Sequence, residues 1–154
     1  MARQSARQSE STERSGQPAG ASEGDVLLSE LVRLADDQGL EVGITVYIGG
    51  TVISGMLVSG QEFLEASALR LQSVEGPPET KATLEHFFRS QRDQQYASSG
   101  AASTEGEDVP SVGYLHLRGA RPFDAKGPYL EEGVWWRGRI DQIDGFNFGV
   151  IRPQ

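Results

Sequence analysis

The chain has 154 residues, 37% of them hydrophobic, with 14 Lys and Arg against 22 Asp and Glu and hence a net charge of -8. That size suits one domain and one core, since a folded part of roughly 130 residues buries about two-thirds of the surface its unfolded chain exposes. The charge repels nucleic acid and anionic lipid at long range, the lack of cysteine excludes disulfides and thiolate metal sites, and without a transmembrane-length run or a signal-peptide core the expectation is a soluble cytoplasmic protein with no membrane partner.

Residues 1–24 are Arg, Gln, Ser, Glu, Gly and Ala with almost nothing apolar after Met1, so this stretch is expected to be a disordered tail. Its sharper reading is a low-affinity, multivalent interaction tail. From Asp25 the pattern becomes helical: Leu27, Leu28, Leu31, Leu34 and Ala35 form a stripe, Asp25 is placed to cap, and Gly39 to stop the helix. Asp36 and Asp37 in its last turn oppose the helix dipole, so packing has to hold this helix.

The stretch Val42–Val58 is the chain's organising hairpin. Val42, Ile44, Val46 and Ile48 alternate on one face, and Gly49-Gly50 supplies a two-residue turn. That turn sets Ile48 opposite Thr51, Val46 opposite Ile53, Ile44 opposite Gly55 and Val42 opposite Leu57. Gly55 leaves a notch where the sheet can bend or admit another backbone.

A helical insertion follows. Ser59 and Glu62 have capping-box spacing, a helix is expected from about Gln61 to Val74 on the stripe Phe63, Leu64, Ala68 and Leu71, and Gly76-Pro77-Pro78 ends it. A second helix, about Glu79 to Tyr96, carries Leu84, Phe87 and Phe88 as a core-facing stripe. Residues 97–110 are small and acidic and read as a mobile loop. Strand pattern returns at Val112 to Arg118, with Pro122 expected to break it and Asp124 to Gly133 to form a loop. The last strands are Val134 to Ile140 and Phe146 to Ile151. Between them Asp144-Gly145 signals a hairpin, while a bulge or short 3₁₀ turn at Asp141-Gln142-Ile143 competes. The fold class is α+β: a small, strongly bent antiparallel sheet or SH3/Sm-like barrel of about five strands, with an N-terminal helix and a helical insertion after the second strand. An open sheet with helices on one face is the alternative. Residues 25–154 are expected to form the single globular domain.

Chemistry has little to work with. The two histidines, His86 and His116, lack metal-ligand spacing and read as structural, and the pairs Asp36-Asp37 and Glu131-Glu132 point their carboxylates in different directions. Gly49-Gly50 is followed by a strand and no G-K-[ST], so it is not a phosphate loop. No catalytic, cofactor or metal site is therefore expected. The one cationic and aromatic cluster is Trp135, Arg137 and Arg139 with Arg118 and Arg121 on the preceding strand, residue types favoured as anchors of protein interfaces. Trp135, Arg137 and Arg139 share a strand face while Trp136 joins Val134, Gly138 and Ile140 on the other, so one indole suits the core and the other the surface.

The stretches Ile48–Ser59, Leu115–Arg121, Trp136–Arg139 and Asp144–Gly149, in that order around a helical segment, resemble the gas vesicle accessory protein GvpU family from about Asp25 to Ile151. The resemblance implies a small, cytoplasmic, non-enzymatic protein associated with gas vesicles. It would act in their assembly or clustering through contacts with shell or other accessory proteins, and it supplies no binding residues to carry over. Self-association is expected from sheet edges and the exposed strand face. A different class, an Sm-like nucleic-acid-binding module, is suggested by the helix-then-strands order and the Arg/Trp cluster, against the sign of the net charge.

Overall fold

The computed structural model describes residues 24–96, 113–124, 126–128, 130 and 132–152. The tail expected at 1–24 lies outside these residues except for Gly24, as does the loop expected at 97–110. Helix α1 (Val26–Gln38) begins where Asp25 Oδ1 accepts the Leu27 and Leu28 amides at 2.9 and 3.1 Å, and ends at Gly39 in the left-handed conformation, φ 67°. Its buried row is Leu28, Val32 and Ala35 with Leu31 beside it. Leu27 and Leu34, expected in the stripe, are 59% and 38% exposed because they lie one residue off that row.

Strands β1 (Val42–Ile48) and β2 (Thr51–Val58) pair in the expected register, from Val42 opposite Leu57 to Ile48 opposite Thr51. Both Gly49 and Gly50 have positive φ, 54° and 81°, as a type I′ turn requires. Asp144 Oδ2 accepts the Gly49 amide at 2.7 Å. The notch at Gly55 is used: a Cβ there would stand 3.0 Å from Ala120 Cα and 3.1 Å from the Arg118 carbonyl. The neighbouring strand β3 (Tyr114–Asp124) kinks at this point, with Gly119 at φ 61° and register shifts on both of its sides.

Pro122 does not end β3 as expected. It stands opposite Ile53, between the part of β3 that pairs with β5 (Val134–Arg139) and the part that pairs with β4 (Gly127–Pro128). On that side of the strand its missing N–H falls in a gap in the ladder, so the strand continues. The segment expected as a loop from Asp124 to Gly133 thus contains a two-residue strand. After β5, residues Ile140–Gln142 form a 3₁₀ turn, and β6 (Gly145–Phe148) pairs with β1 instead of folding back on β5. The 3₁₀ alternative therefore holds, and Asp144-Gly145 is not a hairpin turn.

The strand order is β4-β3-β2-β1-β6 with β5 also on β3. Sequence-adjacent β5 and β6 lie at opposite edges of a bent antiparallel sheet that is not closed. One face of the sheet holds the core, in which α1 supplies Leu28, Val32 and Ala35, and the sheet supplies Ile44, Val46, Ile53, Leu57, Leu115, Leu117 and Ala120. Trp136 and Val134 pack against this cluster.

On the other side, α2 (Gly60–Arg70) buries Gly60, Leu64 and Ala68, and a 3₁₀ turn (Leu71–Ser73) completes the predicted helical stretch. Helix α3 (Pro78–Tyr96) lies on α2 as a further layer. It has no buried residue, so the core-facing reading of Leu84, Phe87 and Phe88 is corrected: Leu84 is 40% and Phe87 53% exposed. The seam between α2 and α3 is polar instead, with Arg92 paired to Glu65, Arg89 3.7 Å from Glu65, and Lys81 donating to the Gln72 carbonyl.

Candidate interaction surface

The face of β3 and β5 opposite the core carries Tyr114, His116, Arg118, Trp135, Arg137 and Arg139. Pairing sets Tyr114 opposite Arg139 and His116 opposite Arg137. Arg137 is exposed and lies diagonally over the Tyr114 ring, with Cζ 3.8 Å from the ring centroid. Tyr114 is itself 41% exposed, so an aromatic face and a guanidinium are presented together. Trp135 is half-buried and meets Phe63 of α2 edge-on at 6.3 Å, and Phe63 in turn covers His116 at 4.8 Å. The indole expected at the surface is therefore partly roofed by α2, while Trp136 faces the core side.

The remaining cations of the cluster are engaged within the chain. Arg118 bridges Glu41 and Glu62, and Arg139 pairs with Asp141. Arg121 is half-buried in β3 opposite Ser54. The Glu62 carboxylate thus binds Arg118, and the capping box keeps only its Ser59 half, with Ser59 Oγ accepting the Glu62 amide at 3.1 Å.

Beneath this face lies a polar junction that no sequence motif marked. Asp36 Oδ1, from the last turn of α1, accepts the Gly60 amide at 2.7 Å and so caps α2 from a different helix. Tyr96, at the end of α3, packs its hydroxyl over Gly60, and His116 Cε1 lies close to the same glycine. Burial raises the Asp36 carboxyl above its ordinary value, opposed by the Gly60 hydrogen bond and aided by Asp37. Burial, with the charge of Asp36, pushes the Tyr96 phenol up to about 12, against the lowering effect of Arg137. Burial and then the neighbouring Arg137 charge lower His116 to about 4, leaving it neutral at pH 7; its Nδ1 is buried and has no hydrogen-bond partner among the described residues.

His116 is 5% exposed under Phe63 and Gly60, and the Asp36 carboxylate is held by a backbone amide, so this junction fastens α1, α2, α3, β3 and β5 together. His86 is exposed on α3. Among the described residues, no group of three or more His, Asp or Glu could hold a metal ion, and no helix is long and apolar enough to cross a membrane.

Residues 25–151 match the family described as Gas vesicle protein GvpU-like. The chain belongs to this family. No curated protein and no solved structure matches it. The GvpU-like match spans α1 to the end of β6 and includes every residue of the surface and junction above. Membership makes this a gas vesicle related protein of an accessory family. Phe63 and Tyr114 belong to the GvpU-like surface, although the Arg/Trp pattern did not single them out. Tyr114 alternates with His116 along β3, and its place beside Arg137 needed the β3–β5 register, which no local spacing contains.

Proposed function

We propose that the protein supports gas vesicle assembly or clustering, in the cytoplasm, by binding vesicle shell or accessory proteins and by self-association, without catalysis. The family match carries this reading. The exposed Arg137–Tyr114 pair, flanked by Trp135, supports a protein interface on the outer face of β3 and β5, where a rigid ring and a planar cation desolvate together. Self-association is supported by the two open sheet edges at β5 and β6. On a polymeric shell, weak contacts of this kind are multiplied by avidity. The nucleic-acid reading loses ground because Arg118 and Arg139 already hold carboxylates, so that phosphate would have to displace Glu41, Glu62 and Asp141 within a chain of net charge -8.

The test is co-sedimentation with purified vesicles. Arg137→Ala and Tyr114→Ala weaken it severalfold with unchanged circular dichroism, and Trp135→Ala weakens it further. Vesicles that form, mature and cluster normally in cells lacking the protein would overturn the reading. Unchanged co-sedimentation of the three variants would move the interface off this face.

A further inference from the structure

Helix α3 carries a row with heptad spacing, exposed except at the half-buried Gln91: Thr80, Leu84, Phe87, Gln91 and Gln94 follow one another at intervals of four, three, four and three residues. Leu84 and Phe87 in its centre are 40% and 53% exposed, and the row runs about 21 Å along the helix at 1.5 Å per residue. It holds no charge. The positions flanking it, Thr83, Phe88, Ser90 and Gln95, are also uncharged, and charge enters only at the N-terminal end, where Glu79 and Lys81 stand on either side of Thr80, the Lys81 ammonium donating to the Gln72 carbonyl at 3.4 Å. The charged residues Glu85, Arg89 and Arg92 lie along the seam with α2, and Glu79 and Asp93 lie on the remaining side. In composition, 1–23 has no aromatic or branched aliphatic residue, and 97–112 has only Val109 and Val112.

We infer that this row is the contact through which two copies of the chain associate, α3 against α3 about a two-fold axis. The inference rests on the self-association proposed above and gives it a surface. Two copies at -8 each repel, and this row lets them meet with no carboxylate along its centre from Leu84 to Gln91. A heptad seam is also self-complementary. Leu84 and Phe87 supply the apolar centre; Gln94 donates to Ser90 Oγ and Gln91 Oε1 accepts from Gln95 within the helix, so the Gln94 oxygen and the Gln91 amide N–H are the groups that meet the second copy and fix the register as polar seam residues do. One helix row buries less than the roughly 800 Å² per partner of a standard stable interface, so the association is reversible and depends on concentration.

The experiment is analytical ultracentrifugation of the full chain over a hundredfold range of concentration. Wild-type mass rises toward the dimer, while the Leu84→Glu/Phe87→Glu double variant stays monomeric with unchanged far-UV circular dichroism. Because the chain has no cysteine, Phe87→Cys provides a second readout: under mild oxidation it cross-links between copies at least tenfold faster than Ala82→Cys, which lies on another side of α3. Wild-type association with an equally associating double variant, or equal cross-linking at the two positions, would remove α3 as the contact and leave self-association standing. A wild-type chain that is monomeric throughout would remove both.

Discussion

The hydroxyl of Tyr96 lies 1.7 Å from the point where a Cβ on Gly60 would stand. The last residue of α3 thus occupies space that only a glycine at the first residue of α2 leaves open. Gly60→Ala drives Tyr96 off its seat and lowers stability by about 1–3 kcal/mol, as overpacking of a tight contact does. Tyr96→Ala removes the obstacle, so the double variant is less destabilised than the sum of the two singles. Urea midpoints for the four proteins measure this; additive effects would mean the two residues do not compete for the same space.

Asp36 sets a different kind of constraint, because its carboxylate sits at the unfavourable end of α1 in order to cap α2. Its acceptor is useful and its charge is not: burial raises the carboxyl above its ordinary value despite the hydrogen bond from Gly60. Asp36→Asn keeps an oxygen for the Gly60 amide and drops the buried charge, so its urea midpoint at pH 7 equals or exceeds wild type. Asp36→Ala leaves that amide unpaired and costs about 1–2 kcal/mol. A raised acid favours the protonated folded state, so the advantage of Asn over Asp shrinks as pH falls through the ordinary carboxylate range.

These two residues also mark where local sequence stops being informative. Local spacing reads correctly wherever a neighbour within four residues decides the outcome: Asp25 and Gly39 bounding α1, Gly49-Gly50 fixing the hairpin register, and Ser59 capping α2. The notch at Gly55 was also legible, because a glycine between apolar strand residues signals close approach. Partners distant in the chain were not legible. Asp36 and Gly60 are 24 positions apart, and nothing in a run of two aspartates says which one will cap another helix. The stripe on α3 was misread because periodicity shows that a helix has an apolar face, not that anything covers it. Pro122 was misread because its tolerance depends on where two other strands stop pairing. Of the candidate surface, the Arg/Trp cluster was visible in the sequence, whereas the pairing of Arg118 with Glu41 and Glu62 and the stacking of Arg137 on Tyr114 rather than Trp135 depend on strand register.

His116 makes stability depend on pH. Its folded value is lowered to about 4 from 6.5, so between those limits the unfolded chain binds the proton and the folded chain does not. Its contribution is fully present above pH 6.5 and is lost as pH falls toward 4, by at most about 3 kcal/mol. Protonation would place a second cation beside Arg137, with no carboxylate among the described residues bonded to the imidazole. His116→Leu therefore flattens the fall in urea midpoint between pH 6.5 and 4.5 relative to wild type. A variant with the same slope as wild type would assign that fall to the carboxylates instead.

Ser54 holds the end of the chain against the hairpin. It is 1% exposed, and its Oγ accepts the Ile151 amide at 2.8 Å and is hydrogen-bonded to the Thr45 hydroxyl at 2.9 Å, which donates to the Gly149 carbonyl at 2.9 Å. The stretch after β6 thus crosses the face of β1 and β2 opposite the core, and Val150 lies where a side chain on Gly43 would have to go. Ser54→Ala leaves the Ile151 amide without its acceptor and costs about 0.5–1.5 kcal/mol, the net worth of one hydrogen bond at a part-exposed site. The effect is also local: hydrogen exchange at Ile151 speeds up by at least tenfold, while the β1–β2 amides of Ile44 and Val46 keep their protection apart from the global loss. Exchange at Ile151 that tracks those hairpin amides would instead make the C-terminal crossing part of the core's own cooperative unit.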